Sequence, residues 1–477
     1  MTQFLDPLDS AFVLLEVPGS AMNIGAIIEL EFGDVADPKE RYELIRNNIE
    51  ARLHEIPVLS QRLVRAPFDM TWPIMIHEKK IEIEKHVVRV ALPAPGTPDQ
   101  FDELISQFLS QQLSPKRPLW QLLVIEGMQD GRAAVALKVH HALADGVSGA
   151  ETFASLFDIS PEVRAPAPKP EEAEDEAVTT SFGLLRQGIG SIRTNPSLAA
   201  RNVRSWFVRL YTIVRAVIRV AILRRKNKAT PDQPSLFEAK RTSLNAVSGT
   251  EKEFHRLQVS LADSKRAAKS RGASVTDFVM AVSSGALRRL LEDRGEKIKK
   301  DLIAFVPINV RGEGEAAALG NQISGMLVRL HTNIDDPEER IKAISADSKK
   351  TVGVQRQAGA QMLQNITKSL GPTLLAIGGK LIHNFGLFNK IPPMANVMIS
   401  SVPGPPLPLW LSGHRVASAA PVGPLFGPFA LNITVLGFEE YLEFGIYGCA
   451  EAMPDISKLR DYLREEVEAF IASSPAP

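Results

Sequence analysis

Two adjacent histidines, His140 and His141, stand three residues before an Asp145-Gly146 pair. A neutral imidazole takes a proton from an alcohol and later returns it to a leaving group. Either histidine alone is more often a satisfied core residue, and an Asp ahead of a helix is more often an N-cap. The combined spacing His-His-x-x-x-Asp-Gly is far more specific than its parts. Ser148 follows closely, but no neighbouring residues mark it as a nucleophile.

Such a doublet works only if a rigid element holds it. The run from Ala133 to Val139 is rich in Val, Leu and Ala and follows Asp130-Gly131, so it reads as a buried strand entered from a hairpin turn. Alternation along a strand would send His140 and His141 to opposite faces, one packed and one toward a cavity. Asp145 and Gly146 mark the turn into a helix beginning near Val147. Further strands are expected near 24–32 and 121–127, with a helix over about 99–113. After an extended segment at 253–259, a helix spans 276–294 and strands occupy 303–307 and 323–332. A helix starts at Pro337, strands follow at 395–401, 430–437 and 442–448, and a helix at 456–472 closes the chain. The fold class is α/β in the mixed α+β sense, in two halves.

The chain has 477 residues, enough for two core-bearing domains. We expect a first domain over 1–165, a connecting segment over 166–240 and a second domain over 241–477. Lys and Arg number 55, as do Asp and Glu, so the net charge gives no support to nucleic-acid binding. A single cysteine, Cys449, excludes an internal disulfide and suits a reducing compartment. The N-terminal residues do not read as a signal peptide, and no long uncharged apolar run reads as a membrane span. The histidines show no ligand spacing, so no metal is expected.

Charge is balanced overall but segregated locally. Residues 161–176 are rich in Pro and acids and read as a solvated linker. From Ala177 to Pro231 there is no Asp or Glu. Within that stretch Arg201, Arg204, Arg215 and Arg219 fall on one helical face, with Trp206, Leu210, Ile213, Val214 and Val217 opposite. Residues 199–228 therefore suit the surface of an anionic membrane, or equally a helix docked on its own protein. A second acid-free region, 348–438, carries Lys349, Lys350, Arg356, Lys368, Lys380, Lys390 and Arg415. It includes an apolar helical segment at 371–387, fit for an acyl channel or for a core.

The His-His-x-x-x-Asp-Gly spacing resembles the signature of the CoA-dependent acyltransferase superfamily. Other segments narrow the resemblance to the bacterial wax ester synthase/diacylglycerol acyltransferase family. Pro7-Leu8-Asp9 with Met22-Asn23-Ile24-Gly25 is similar to that family's opening strand. Arg117-Pro118-Leu119-Trp120, Val306-Pro307 through Arg311, Gly320-Asn321, Val402 through Pro405, Leu431-Asn432 and Phe444-Gly445 follow in family order. Departures are present. Asn23 stands where His is common, Thr276-Asp277 where Asn-Asp is usual, Asn309 where Ser is usual, Ser401 where Asn is usual, and Cys449 where Asp is common.

The resemblance implies two chloramphenicol-acetyltransferase-like subdomains with a tunnel between them. It also implies direct transfer of a fatty acyl group from acyl-CoA to diacylglycerol or a long-chain alcohol. His141 would be the base and His140 would order the site, while Asp145 and Gly146 shape the loop, Asp145 pairing with Arg311. Trp120, Asp277, Arg311, Asn321 and Asn432 would contact substrate. Acyl-CoA is a co-substrate, and no cofactor is expected. The cytoplasmic face of a membrane or a lipid body would be the place of work. An acyltransferase for another hydroxyl or amine acceptor, or a non-catalytic lipid-binding relative, remains open.

Overall fold

The structure, a computed structural model, describes residues 3–17, 19–33, 37–143, 155–169, 183, 211, 215, 234, 238–246, 249–298, 300–309, 323–350, 367, 370–390, 392–427 and 429–475. Asp145, Gly146, Ser148, Arg311 and Asn321 lie outside these residues. So does the segment 199–228, apart from Tyr211 and Arg215.

β7 (Ala133–His140) is buried along its whole length, as expected of an apolar run with structure on both faces. It pairs antiparallel with β2 (Asn23–Glu31) and β6 (Trp120–Glu126). β5 (Val87–Ala91) extends the sheet beyond β6. The other edge is made by β13 (His414–Val422) and β12 (Trp410–Leu411), giving the order β12-β13-β2-β7-β6-β5. Helix α1 (Pro7–Leu14) starts at an Asp6 cap with Pro7 in its first turn. This corrects the reading of Pro7-Leu8-Asp9 as part of an opening strand. α2 (Pro38–Arg52) supplies Ile45 and Ile49 to the core on one face of the sheet. α3 (Pro98–Ser110), held by a Thr97–Gln100 capping box, packs Phe101, Ile105 and Phe108 on the other.

The second sheet has the order β10-β9-β11-β14-β15-β8. Its strands are β8 (Lys252–Ser260), β9 (Ile303–Asn309), β10 (Ile323–Arg329), β11 (Val397–Pro403), β14 (Leu431–Phe438) and β15 (Tyr441–Cys449). The helices Val275–Asp293 and Ile456–Ala472 cover one face through Phe278, Leu287, Leu459, Leu463 and Phe470. A small sheet, β1 (Gln3–Phe4), β4 (Ile74–His77) and β3 (Gln61–Val64), completes the strands described.

One boundary differs from expectation. The span 241–477 does not fold as a separate unit, because β13 leaves it and pairs with β2 in the first sheet. The strand holds three Ala and a Pro and only two β-branched residues among its nine, so its sequence carries a weak strand signal. At the crossing, a Cβ on Gly445 would lie 1.7 Å from the Pro421 carbonyl oxygen. Only glycine lets β13 pass so close to β15, which accounts for the Phe444-Gly445 pair.

Side chains of α3 complete the joint. Ser110 and Ser106 hydroxyls accept from the Lys252 and Phe254 N–H groups of the β8 edge, at 2.9 and 3.0 Å. The buried Glu29 carboxylate on β2 accepts from Arg132 (2.6 Å) and from Arg256 of β8. Asp102 of α3 meets His255 of β8 at 3.0 Å.

Candidate active site

β7 ends at His140, directly opposite Asn23 of β2. The ladder there needs glycine two residues further along β2. A Cβ on Gly25 would sit 1.8 Å from the Leu137 carbonyl oxygen. Beyond the strand, His141–Leu143 form a single 3-10 turn. Strand alternation therefore governs the direction of His140 but not of His141, which corrects the premise from which opposite faces were expected. The His141 N–H donates to Met22 O (2.7 Å) and the His140 N–H to Leu119 O (2.9 Å), so the doublet's backbone is pinned from both sides.

His140 is buried on the same face of β7 as Ala134, Ala136 and Lys138. Ala134 and Ala136 share a cluster with Phe254 and Tyr447, so this face looks toward the second sheet. His140 Nδ1 accepts from the Ala142 N–H at 3.1 Å. In the neutral ring the proton is then on Nε2. That nitrogen lies 3.5 Å from a Glu16 carboxylate oxygen and makes no hydrogen bond among the described residues. In that tautomer Nε2 is a hydrogen-bond donor.

His141 stacks on Phe12 of α1, with ring centroids 4.2 Å apart. It keeps part of its surface accessible, while its Nδ1 is buried without a described partner. Removal of water from around the ring, reinforced by neighbouring His140, lowers its pKa to about 4. The imidazole is therefore neutral throughout the physiological range, in the form a general base requires. Asn23 adds two more buried polar atoms, Oδ1 and Nδ2, with no partner among the described residues. Orphaned polar atoms at one spot are the mark of a site that something polar fills.

Lys138 is fully buried two residues before His140. Its ammonium donates to Phe108 O and to Gln111 O (2.8 Å) at the C-terminal end of α3. Burial lowers its pKa to about 7.

The remaining expected site residues divide. Trp120 is buried, donates Nε1–H to Leu59 O (2.8 Å) and stacks on His86 at 4.5 Å. It is a core residue that fixes β6. The functional part of its segment is the Leu119 carbonyl beneath His140. Asp277 closes a capping box with Ser274 and accepts from the Ser348 hydroxyl, so its carboxylate is occupied by structure. Asn432 is buried; it donates to Pro424 O (2.8 Å) and accepts from Thr434 Oγ1 (2.7 Å). It secures the turn after β13, whose Leu425 carbonyl meets Ser20 just ahead of β2. Thus Asn432 is joined to the site indirectly, and Asp277 and Trp120 serve the scaffold. Phe12 and Glu16 were missed because neither α1 nor the residues just after it carry a chemical motif. Asn23 had been noted only as a departure, although its place opposite the doublet follows from the pairing of the two strands.

A family model described as the wax ester synthase/diacylglycerol acyltransferase catalytic domain matches residues 5–279, and its C-terminal companion matches 319–470. The chain belongs to the wax ester synthase/diacylglycerol acyltransferase family. It is an acyltransferase. A putative diacylglycerol O-acyltransferase of Mycobacterium tuberculosis is 29% identical over 98% of this chain and 90% of its own length. A probable diacylglycerol O-acyltransferase of the same organism is 30% identical over 97% of each chain. The wax ester synthase/diacylglycerol acyltransferase from Marinobacter aquaeolei VT8 shares the fold, with TM-score 0.68, 23% identity and 98% coverage of both chains. The first condensation domain of the CDA synthetase also shares it, with TM-score 0.54, 15% identity and coverage of 100% and 97%. The two-sheet architecture expected from the sequence is thus the fold of this family.

Proposed function

We infer that the chain transfers a fatty acyl group from acyl-CoA to the hydroxyl of diacylglycerol or a long-chain alcohol, with His141 as general base. The observation that carries this reading is the division of labour in the doublet. His140 has its Nδ1 lone pair engaged and presents a proton, whereas His141 is neutral and partly accessible.

His141 removes the acceptor's hydroxyl proton while the oxygen attacks the thioester carbonyl carbon. The carbonyl electrons move onto oxygen, and the His140 Nε2–H and Asn23 Nδ2, which make no hydrogen bond among the described residues, are the donors offered to the developing oxyanion. Collapse breaks the carbon–sulfur bond, and the imidazolium returns its proton to the departing CoA thiolate. No acyl-enzyme and no cofactor beyond the acyl-CoA co-substrate enter this scheme. A base of this kind contributes roughly 10²–10⁴-fold. Acid-free residues 348–438 favour the phosphates of CoA. Water-insoluble acceptors imply work at the inner face of a membrane or at a lipid body. Among the described residues no helix is long and apolar enough to cross a membrane.

A second reading, transfer to a different hydroxyl acceptor, is favoured by Asn23. It replaces the family's usual His beside the reacting atoms. Labelled palmitoyl-CoA with a panel of diacylglycerol, hexadecanol and polar alcohols or amines separates the two. Labelled triacylglycerol or wax ester supports the first, product from polar acceptors alone supports the second, and no transfer to any acceptor overturns both.

A further inference from the structure

The helix Pro372–Asn384 packs Leu375 and Ala376 against Ala11 and Leu14 of α1, with Trp72 beside them. Its other side is exposed at Ile377, Lys380 and Leu381. At about 100° per residue, Ile377, Lys380 and Leu381 share the outward arc, opposite the buried Leu375, Ala376 and Gly379. Ile377 and Leu381 are 44% and 45% exposed, and Phe385 just past the helix is 64% exposed. Thr373 begins the same i, i+4 stripe. Its hydroxyl donates to Asp69 O (2.8 Å), which places the turn Pro67–Asp69 against the start of the helix.

That turn holds the most exposed large apolar side chain described, Phe68, at 84%. Phe68 has φ +59°, a left-handed conformation unfavourable for a bulky residue. The arrangement is enforced: Arg65 grips the Asp69 carboxylate through two hydrogen bonds of 2.8 and 2.9 Å. Met70 beside it is 40% exposed. A phenyl ring held in solvent at the expense of backbone strain needs a partner that covers it.

The charge around the patch says what that partner is. Lys380 lies within the apolar stripe and Lys390 follows it, both exposed, and no Asp or Glu occurs from residue 348 to 438. Apolar side chains with interleaved lysines fit the boundary between acyl chains and anionic headgroups. The location fits the chemistry as well, since the helix rests on α1, and α1 carries the Phe12 ring stacked on His141. A lipid acceptor leaving such a surface has one helix between it and the catalytic imidazole.

We propose that Phe68, Met70, Ile377, Leu381 and Phe385, with Lys380 and Lys390, form the surface on which the enzyme docks to an anionic phospholipid layer. The assignment rests on the lipid-acceptor reading above and names its surface outside residues 199–228. Full-length protein is sedimented with phosphatidylcholine vesicles with and without phosphatidylglycerol. The wild type should bind the anionic vesicles. The triple variant Phe68→Ser, Ile377→Ser, Leu381→Ser should lose roughly tenfold or more in partitioning, and Lys380→Glu should lose the preference for phosphatidylglycerol. Both variants should keep the wild-type melting temperature and its rate with a short, water-soluble acyl-CoA and alcohol. Unchanged vesicle binding by the folded triple variant overturns the proposal. So does loss of binding on deletion of 199–228 with this patch intact, which would assign docking to that segment. If the wild type bound vesicles but transferred acyl groups to no acceptor, the reaction would be wrong and the surface would stand.

Discussion

Desolvation of His141 makes a prediction about pH that can be worked through from the structure. Its imidazole pKa is lowered from 6.5 to about 4, chiefly because Phe12 and the surrounding chain exclude water. At pH 5.5 a ring of pKa 4 is roughly 97% neutral, whereas an ordinary one is roughly 9% neutral. The acid limb of kcat/KM, which reports the free enzyme, should therefore be centred near 4. Phe12→Ala removes the stacked ring and admits water, so the midpoint should rise toward 6.5. Relative to its own plateau, the variant should be roughly tenfold slower at pH 5.5 while the wild type is nearly unaffected. The assay is labelled ester formation from a soluble acceptor, with far-UV dichroism at each pH as a control. That control matters because the folded pKa is the lower one. The unfolded chain then binds a proton that the folded chain does not, and stability is lost as pH falls from 6.5 toward 4. A wild-type limb at 6.5, or a limb that stays near 4 in a folded Phe12→Ala protein, would refute the reasoning.

Three further outcomes follow from the scaffold. Arg52 and Asp158 form a buried pair at 2.9 Å, and Arg52 also donates to Leu156 O, so the pair anchors residues 155–158; Asp158→Ala leaves the guanidinium without its counter-charge and should cost about 3–5 kcal/mol in urea unfolding. Gly25→Ala forces a methyl group onto the Leu137 carbonyl, so it should cost roughly 3 kcal/mol or more and displace His140, read as lost stability together with lost transfer. Lys138→Met removes the ammonium's hydrogen bonds to the Phe108 and Gln111 carbonyls, at about 1–3 kcal/mol. With a folded pKa of about 7 against 10.5 unfolded, Lys138 makes wild-type stability rise with pH across that window; urea midpoints of the Met variant should lack that rise.

Much of the fold was legible because the strongest signals were periodic. β7 was readable from its unbroken apolar run, and the helices near 276 and 456 from their spacing and boundaries. β13 was not, because a strand with three Ala and a Pro carries little propensity and acquires its place in the sheet from its pairing with β2. At the site, the histidine doublet was legible from residue type and spacing. Its geometry was not, since a 3-10 turn replaces the strand at His141. Asp277 and Trp120 show what residue type leaves out. Polar or aromatic residues in matching segments looked like substrate contacts, yet a helix cap and an indole hydrogen bond account for them. Phe12 and Glu16 could be assigned only once α1 was seen to lie over the turn.

The central claim is that His141 takes the hydroxyl proton while His140 donates, and parallel single substitutions test it most directly. Ester formation from labelled acyl-CoA and hexadecanol is measured for folded His141→Ala and His140→Ala proteins at neutral pH. The account predicts that His141→Ala loses roughly 10²–10⁴-fold in kcat, and that the His140 variant keeps a rate well above it. Wild-type turnover by His141→Ala, with the activity lost instead in His140→Ala, would contradict it.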